Sequence, residues 1–289
     1  MNRIKIFVDS GSDISKDIAD EHNIGVVPLT ISFGTKIFRD FYDLTSKKFF
    51  ELLEKSEVFP KTSQPNAYEF MEKFSEYENE CDDIICFTMS KHGSGTYYSA
   101  VNAKKELEEK GFIPKIHIID SKSTSFGETM LAIKAVNMAK LDEKASDIAA
   151  KMRDLSEFVG SYFIPINMDA LKRGGRVNTV TAAIGSALNI RPVIQIIDGW
   201  GRNVSKARGD NGMMSKFIDI FFEKCQSTKE VFISHANNPE KAHELAAKFK
   251  ERAEGIAVHL CEMGSVMGTH VGKGGLGIFF IEKKPIVTK

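Results

Sequence analysis

The sequence predicts an α/β protein of two domains. In the first half of the chain, short apolar segments alternate with amphipathic helical segments, which is typical of a mostly parallel sheet flanked by helices. The second half has longer apolar runs between its helices, and this change indicates a second α/β domain. A chain of 289 residues is long enough for each domain to bury a core. We therefore predict domains at 1–160 and 161–289, with a ligand site in the cleft between them.

The first domain is predicted to begin with a strand that ends in small polar residues. Ser12 or Asp13 in that turn is suited to cap the helix that follows. Thr45 is predicted to cap a second helix, and Asn66 with Glu69 has the spacing of a capping box for a third. The predicted strands are Ile4–Val8, Gly25–Phe33, Thr35–Arg39, Ile84–Met89 and Ile116–Ile119, and the later helices are one of about four turns that stops at Gly111 and two more that end near Glu157.

The second domain is predicted from five β-like runs separated by helical segments. Neither an internal repeat nor a flexible linker is visible, so we expect the two domains to pack tightly against each other. The predicted strands are Ser161–Ile166, Arg191–Ile197, Val231–Ser234, Ile256–Leu260 and Leu276–Glu282.

The composition excludes several classes of function. Lysine plus arginine equals aspartate plus glutamate at 39 each, so no overall charge favours nucleic acid or an anionic membrane. No apolar run approaches the roughly 18 residues of a membrane span, and the amino terminus lacks the pattern of a signal peptide, so we expect no membrane anchor and a cytoplasmic location. The four cysteines form no C-x-x-C pair and have no histidine at metal-ligand spacing. We therefore expect neither a disulfide framework, nor a metal site, nor a cofactor.

Two short polar segments are candidates for holding an anionic group. Thr62-Ser63-Gln64-Pro65 precedes the helix capped by Asn66, so its hydroxyl and N–H groups lie near a helix amino terminus, which favours negative charge. The loop 90–95 follows the strand Ile84–Met89 at the carboxyl edge of the sheet, where α/β proteins bind ligands. An ordinary capping loop would also explain the first segment.

The second segment has two interpretations. Gly93 and Gly95 allow Ser94 to lie on a sharp turn, where its hydroxyl could bind an oxyanion or act as a nucleophile. Because position 92 is histidine, the G-x-S-x-G signature of hydrolases is missing by one residue. Binding is the better interpretation, and a serine esterase or acyltransferase with Ser94 as nucleophile and His270 as base is the alternative.

The segment 171–209 is strongly basic although the protein as a whole is neutral. Its seven cations outnumber its one acidic residue, Asp198, by six. Arginine side chains beside Gly174 and Gly175 can present planar donors to a phosphate or a carboxylate. We therefore expect an acidic partner or a phosphorylated group here, although a solvated face or a regulatory site for a sugar or phosphate would also fit. The cations are Lys172, Arg173, Arg176, Arg191, Arg202, Lys206 and Arg208.

Near the carboxyl end, His270 stands beside four glycines at positions 272, 274, 275 and 277. We interpret this stretch as a glycine-rich turn before a strand, in which N–H groups and one histidine can hold an anion. Gly272, Gly274 and Gly277 match G-x-G-x-x-G, but a dinucleotide site requires that motif to follow a strand and open a helix. Here the motif opens a strand, so the dinucleotide interpretation is rejected.

Taken together, six segments resemble the DegV family of bacterial fatty-acid-binding proteins, and the resemblance spans essentially the whole chain. It implies a two-domain α/β protein with one long-chain fatty acid enclosed between the domains. It also implies that some members present the acid to a separate ATP-binding kinase subunit that makes acyl phosphate, and are not catalysts themselves. The segments are Val8-Asp9-Ser10-Gly11-Ser12-Asp13, Thr62-Ser63-Gln64-Pro65, Ser94-Gly95-Thr96-Tyr97, Asp120-Ser121-Lys122-Ser123, Gly174-Gly175-Arg176 and the residues 270–277.

The resemblance also implies roles for individual residues. The ligand-binding positions carried over are Thr62, Ser63, Ser94, Gly95, His270 and Gly272, with Thr62 or Ser63 and Ser94 or Gly95 holding the carboxylate. Arg176 and Arg208 would contact the phosphoryl group or the kinase. Lys273 and Gly275 depart from the family pattern, which has an uncharged polar residue and alanine there. We therefore expect the head-group end to be more basic than in the relatives.

Overall fold

The computed structural model describes residues 3–166, 168–176 and 189–286. Within these residues the first half forms three layers of helix, sheet and helix, with a small second sheet beside them. Its strands are β1 (Ile4–Asp9), β2 (Ile24–Val27), β3 (Thr30–Phe33), β4 (Lys36–Arg39), β5 (Lys61–Ser63), β6 (Asp83–Thr88) and β7 (Lys115–Asp120). Its helices are α1 (Lys16–Glu21), α2 (Ser46–Lys55), α3 (Ala67–Ser75), α4 (Thr96–Glu109), α5 (Phe126–Lys140) and α6 (Ala145–Ser156).

The second half contributes one mixed sheet and its covering helices. Its strands are β8 (Val159–Ile164), β9 (Ile190–Ile197), β10 (Trp200–Arg208), β11 (Glu230–His235), β12 (Ala257–Glu262) and β13 (Leu276–Ile281). Its helices are α7 (Met168–Gly174), α8 (Gly209–Lys224), α9 (Pro239–Arg252) and α10 (Ser265–Val271).

The main sheet of the first half is parallel, in the order β2-β1-β6-β7. Its central strand β6 is buried at every position, because helices cover both faces. The carboxyl ends of all four strands meet at one edge, and the loop 90–95 begins there. The predicted α/β fold is confirmed.

One predicted strand of the first half is wrong. The sequence suggested a single strand over Gly25–Phe33, but the chain forms β2 in the parallel sheet and β3 in an antiparallel sheet of order β4-β3-β5. Pro28 lies between them, and a proline has no N–H to continue a ladder of hydrogen bonds. The three-residue strand β5 was not predicted, although its pairing of Thr62 with Ile31 fixes the position of the first candidate hydroxyl.

The predicted helix starts have different outcomes. Thr45 caps α2, and Asn66 with Glu69 forms the predicted capping box of α3. The prediction for α1 is wrong, because Ser15 is the residue that accepts a bond from the first turn of that helix. Asp13 instead ends a short 3-10 turn with a φ of 55°, and its carboxyl group bonds to a distant part of the chain.

The sheet of the second half has the order β10-β9-β8-β13-β11-β12. Only β11 and β12 are parallel among its described pairs, so the sheet is mixed. The unpredicted strand β10 forms a hairpin with β9. The turn of this hairpin contains Asp198 and Gly199, whose φ angles are 49° and 72°. The sequence also missed α10: His270 lies in the last turn of this helix, and the glycine loop follows it before β13.

The two halves share a core. One cluster of buried side chains joins residues of the parallel sheet and α5 with Phe163, Ile194 and Phe279 of the second sheet. Helix α10 belongs to the second half by sequence, but Gly268 on it packs against Phe49 of α2. The predicted boundary near residue 160 falls at the start of β8, and it stays a prediction. In the parts of the chain that the structure describes, no helix is both long and apolar enough to cross a bilayer.

Candidate functional site

A cavity of about 370 Å³ lies between the carboxyl edge of the parallel sheet and the sheet of the second half. This volume is within the range of small-molecule sites in proteins. Both halves contribute to its wall, which is mostly apolar. Thr62, Ser94, His270 and Arg176 contribute polar groups to one part of the wall, called here the polar end. The apolar side chains include Leu29, Met89, Phe163, Ile194, Ile196 and Met267.

Thr62 and His270 meet at the polar end of the cavity. Strand β5 presents the hydroxyl of Thr62, whose Oγ1 lies 3.2 Å from Nε2 of His270. Burial, together with the positive charge of Arg176, lowers the pKa of His270 to about 4. The imidazole is therefore neutral near pH 7, and its buried Nδ1 atom has no hydrogen-bond partner among the described residues. A neutral histidine and a hydroxyl can orient a carboxylate without placing a fixed positive charge in the protein.

The loop around Ser94 forms the facing part of the polar end. The carbonyl of Ser90 accepts the N–H groups of Gly93 and Ser94, which fixes the turn after β6. The hydroxyl of Ser94 lies 2.8 Å from the hydroxyl of Thr96, the first residue of α4. At Gly95 a Cβ atom would lie 2.1 Å from Oε1 of Gln64, so the absence of a side chain allows the loop to approach the segment after β5. The two candidate hydroxyl segments are therefore adjacent.

Arg176 lies at the same end of the cavity, just after α7. Its guanidinium donates to the carbonyl of Gly174 at 3.0 Å, and its own carbonyl accepts the N–H of Gly201 on β10. A Cβ atom at Gly174 would lie 2.4 Å from Nδ1 of His270, so a larger residue there would displace the imidazole ring. The Gly174-Gly175-Arg176 segment thus leaves space for the imidazole ring and brings one exposed cation to the cavity.

Six of the eight residues predicted for the site line the cavity. They are Thr62, Ser63, Ser94, Gly95, His270 and Arg176. The two that do not line it are Gly272 and Arg208. Gly272 ends α10 with a φ of 77° and donates its N–H to the carbonyl of Gly268, which is a structural role. Arg208 is exposed at the end of β10.

The basic character expected at the head-group end is only partly present. Lys273 does not line the cavity and instead forms a surface ion pair with Glu54 on α2. Arg191 pairs with Asp210 at 2.8 Å, which lowers the pKa of that carboxyl group. Part of the local charge excess is therefore neutralised within the protein. Residues 177–188 of the basic segment lie outside the described residues.

Several residues of the site were not predicted. Gln64 lies inside the predicted hydroxyl segment, and Ser123 and Thr124 follow the end of β7, so their position at the sheet edge could have indicated them. No local pattern indicates Met89 or Met267, because apolar side chains at a cavity and in a core look alike in sequence.

The geometry favours binding over nucleophilic catalysis. A serine nucleophile needs a hydrogen bond to its base, but in the described part of the chain His270 bonds to Thr62 and the hydroxyl of Ser94 bonds to Thr96. Over the described ranges, no group of three or more histidine, cysteine or carboxylate side chains could hold a metal ion.

The family is decided by the extent of the sequence match. The family model for DegV, described as an uncharacterised protein family, matches residues 3–283. The chain belongs to the DegV family. A DegV domain-containing protein of Caldanaerobacter subterraneus subsp. tengcongensis is 30% identical to this DegV chain over 285 residues, which cover 98% of this chain and 100% of the relative.

Solved structures of DegV proteins have the same fold as this DegV chain. The crystal structure of DegV, a fatty acid binding protein from Bacillus subtilis, has a TM-score of 0.87 and 26% identity, and the match covers 98% of this chain and 100% of that one. The Streptococcus pneumoniae Fatty Acid Kinase (Fak) B3 protein, crystallised with linoleic acid, has a TM-score of 0.84 over 97% of this chain and 99% of that one. Its identity is 21%, so this likeness shows the fold alone.

Proposed function

We propose that this DegV protein binds one long-chain fatty acid in the cavity and presents its carboxylate to a separate ATP-binding kinase subunit. The observation that carries the proposal is the combination of a mostly apolar cavity with the uncharged polar groups of Thr62, His270 and Ser94. In this arrangement Thr62 or Ser63 and Ser94 or Gly95 hold the carboxylate. The fatty-acid-binding relative from Bacillus subtilis supports the choice of ligand.

The energetics of such a ligand suit the cavity. Each CH₂ group removed from water contributes about 0.8 kcal/mol, so a sixteen-carbon tail could supply on the order of 10 kcal/mol before the costs of binding. The polar end therefore needs only to orient the carboxylate. Neutral donors accomplish this and leave the oxygens nucleophilic, whereas a buried cation would hold the charge more tightly.

The exposure of the polar end supports presentation to a partner. Ser63, Gln64 and Arg176 are exposed where they border the cavity, so a second protein could reach the carboxylate. The carboxylate oxygen would attack the γ-phosphorus of ATP, forming an acyl phosphate as ADP leaves. Arg176 is suited to bind the transferred phosphoryl group or the kinase, because its guanidinium carries two parallel donors. The fold shared with the fatty acid kinase B3 protein is compatible with this role.

Analysis of bound lipid tests the binding function. Purified protein is extracted with organic solvent, and the extract is analysed by mass spectrometry. The delipidated protein is then titrated with palmitate. We expect a long-chain acid in about equimolar amount, or saturable binding of added palmitate. A lipid-free preparation that also fails to bind long-chain acids would overturn the proposal.

An Arg176→Ala substitution tests presentation. We expect unchanged affinity for palmitate and a reduced rate of acyl phosphate formation with a matching ATP-binding subunit. Lys273→Ala is the matched control, because Lys273 is also an exposed cation but does not line the cavity. Equal turnover for the two variants and the wild type would count against the role of Arg176.

A further inference from the structure

Helix α10, which carries His270, is held at its amino-terminal end by two carboxyl groups from the first half of the chain. Oδ1 of Asp13 accepts the N–H of Gly264 at 2.8 Å. Oδ1 of Asp40 accepts the hydroxyl of Ser265 and, at 3.4 Å, its N–H. The helix is therefore fixed by residues more than 200 positions away in sequence.

Both carboxyl groups are buried without a cation. Asp13 is 5% exposed and Asp40 is 3% exposed, and burial raises the pKa of each. Across the described part of the chain, neither forms an ion pair with lysine or arginine, and their partners are hydroxyl and N–H groups. Burial of such groups costs free energy, which their hydrogen bonds to the N–H of Gly264 and the hydroxyl of Ser265 offset. The two carboxyl groups therefore favour the position of the helix in which those bonds are made.

The rest of the helix leads from these contacts to the cavity. His270 follows Ser265 by five residues, about 7.5 Å along the helix axis. Between them, Gly268 packs so closely on α2 that a Cβ atom would lie 2.6 Å from the ring of Phe49. If this contact acts as a pivot, a shift at the amino-terminal end tilts the helix and moves His270 relative to Thr62.

We propose that Asp13 and Asp40 are positioning residues for the ligand site, which set the contact between His270 and Thr62 by fixing the amino-terminal end of α10. They do not line the cavity, and their contacts with Gly264 and Ser265 connect them to it through the helix. This proposal rests on the proposed function, because its measured consequence is the affinity for a fatty acid.

A double-mutant cycle tests the proposal with the full-length, delipidated protein and palmitate as the probe. Ser265→Ala removes the hydroxyl that Asp40 accepts and leaves every charge in place. We expect this substitution to raise the Kd about fivefold to tenfold. In a His270→Ala background the same substitution should change the Kd by less than about twofold, because coupled residues are not additive. ¹⁵N resonances of the His270 ring should also shift in Ser265→Ala.

Variants of Asp40 test the acceptor of the same hydrogen bond and include a conservative rescue. Asp40→Ala removes the acceptor and should match or exceed Ser265→Ala, whereas Asp40→Asn keeps an acceptor oxygen and should stay within about twofold of the wild type. If Asp40→Ala does not fold, the Ser265→Ala cycle decides alone. Asp83→Asn is the control, since Asp83 is a buried carboxyl group that bonds to His117 far from α10.

The outcomes separate this proposal from the proposed function. If the wild-type protein binds no palmitate, both the proposed function and the positioning role are overturned. Wild-type binding with an equal effect of Ser265→Ala in the two backgrounds, or with no effect in either, overturns only the positioning role. An Asp83→Asn variant that weakens binding as much as Ser265→Ala would assign the effect to general destabilisation, which also overturns it.

Discussion

The hydroxyl of Thr62 offers the most direct test of how the polar end works. Replacing Thr62 by valine keeps the branched shape of the side chain but removes the group that lies 3.2 Å from Nε2 of His270. If that hydroxyl donates to the fatty acid carboxylate, the lost bond has a charged acceptor and is worth about 1.5–3 kcal/mol. The Kd for palmitate should then rise roughly 10- to 150-fold. Binding itself should persist, because the tail supplies most of the favourable free energy.

Intrinsic fluorescence provides the assay. Trp200 is the single tryptophan of the chain, and it lies in the hairpin between Gly199 and Gly201, both of which line the cavity. Delipidated protein is titrated with palmitate and, separately, with 1-hexadecanol, which has the same tail but no charge. The loss caused by Thr62→Val should be smaller for the alcohol, about 0.5–1.5 kcal/mol, because a hydrogen bond to a neutral group contributes less.

Ser63→Ala shows which of the two neighbouring hydroxyls holds the carboxylate. Ser63 is the next residue of β5 and is exposed, whereas Thr62 is partly buried against His270. We expect Ser63→Ala to change the Kd by less than about threefold, as for most exposed polar groups. The reasoning is refuted if Thr62→Val leaves the Kd unchanged, or if it weakens the acid and the alcohol equally. A large loss of affinity in Ser63→Ala alone would show that Ser63, and not Thr62, holds the carboxylate.

Three further substitutions test other parts of the structure. Gly268→Ala should destabilise the protein by about 1–3 kcal/mol in urea unfolding, because its Cβ would overlap the ring of Phe49, and an unchanged midpoint would contradict that packing. Burial raises the pKa of Glu128 well above 4.5, so the folded state holds the proton of this carboxyl group more tightly than the unfolded state does. Its contribution to the free energy of unfolding is therefore complete below about pH 4.5 and is lost as pH rises. The difference in melting temperature between Glu128→Gln and the wild type should therefore shift in favour of the variant as pH rises from 5 to 8. A difference that stays constant over this range would contradict the argument. Lys273→Ala should leave the Kd for palmitate within about twofold, since its partner is Glu54 on the surface, and a tenfold change would restore the idea of a basic head-group end.

The sequence predicted those features that depend on neighbouring residues. The buried strand β6, the cap at Thr45 and the capping box of Asn66 with Glu69 follow from side chains only a few positions apart. The hydroxyl segments at Thr62 and Ser94 were recognised because their side chains stand at helix starts and strand ends. Such local rules hold wherever the rest of the protein does not compete with them.

The elements that sequence reasoning missed are short and depend on distant partners. Strand β5 has three polar residues and exists because Thr62 pairs with Ile31. Helix α10 has seven residues with Gly268 in its middle, so its own propensity is weak. Its stability comes from packing on α2 and from the carboxyl groups at its amino-terminal end, neither of which has a local signal.

By itself, the sequence determined the α/β class, the family and the segments that carry the polar groups of the site. Only the tertiary structure decided which of those groups meet: it brought Thr62 to His270, left Gly272 and Lys273 away from the cavity, and gave Asp13 a partner at Gly264. The physical reason is that capping and strand formation are satisfied within a few residues. A buried carboxyl group or imidazole, by contrast, must find its partners wherever the folded chain brings them, because water cannot supply them.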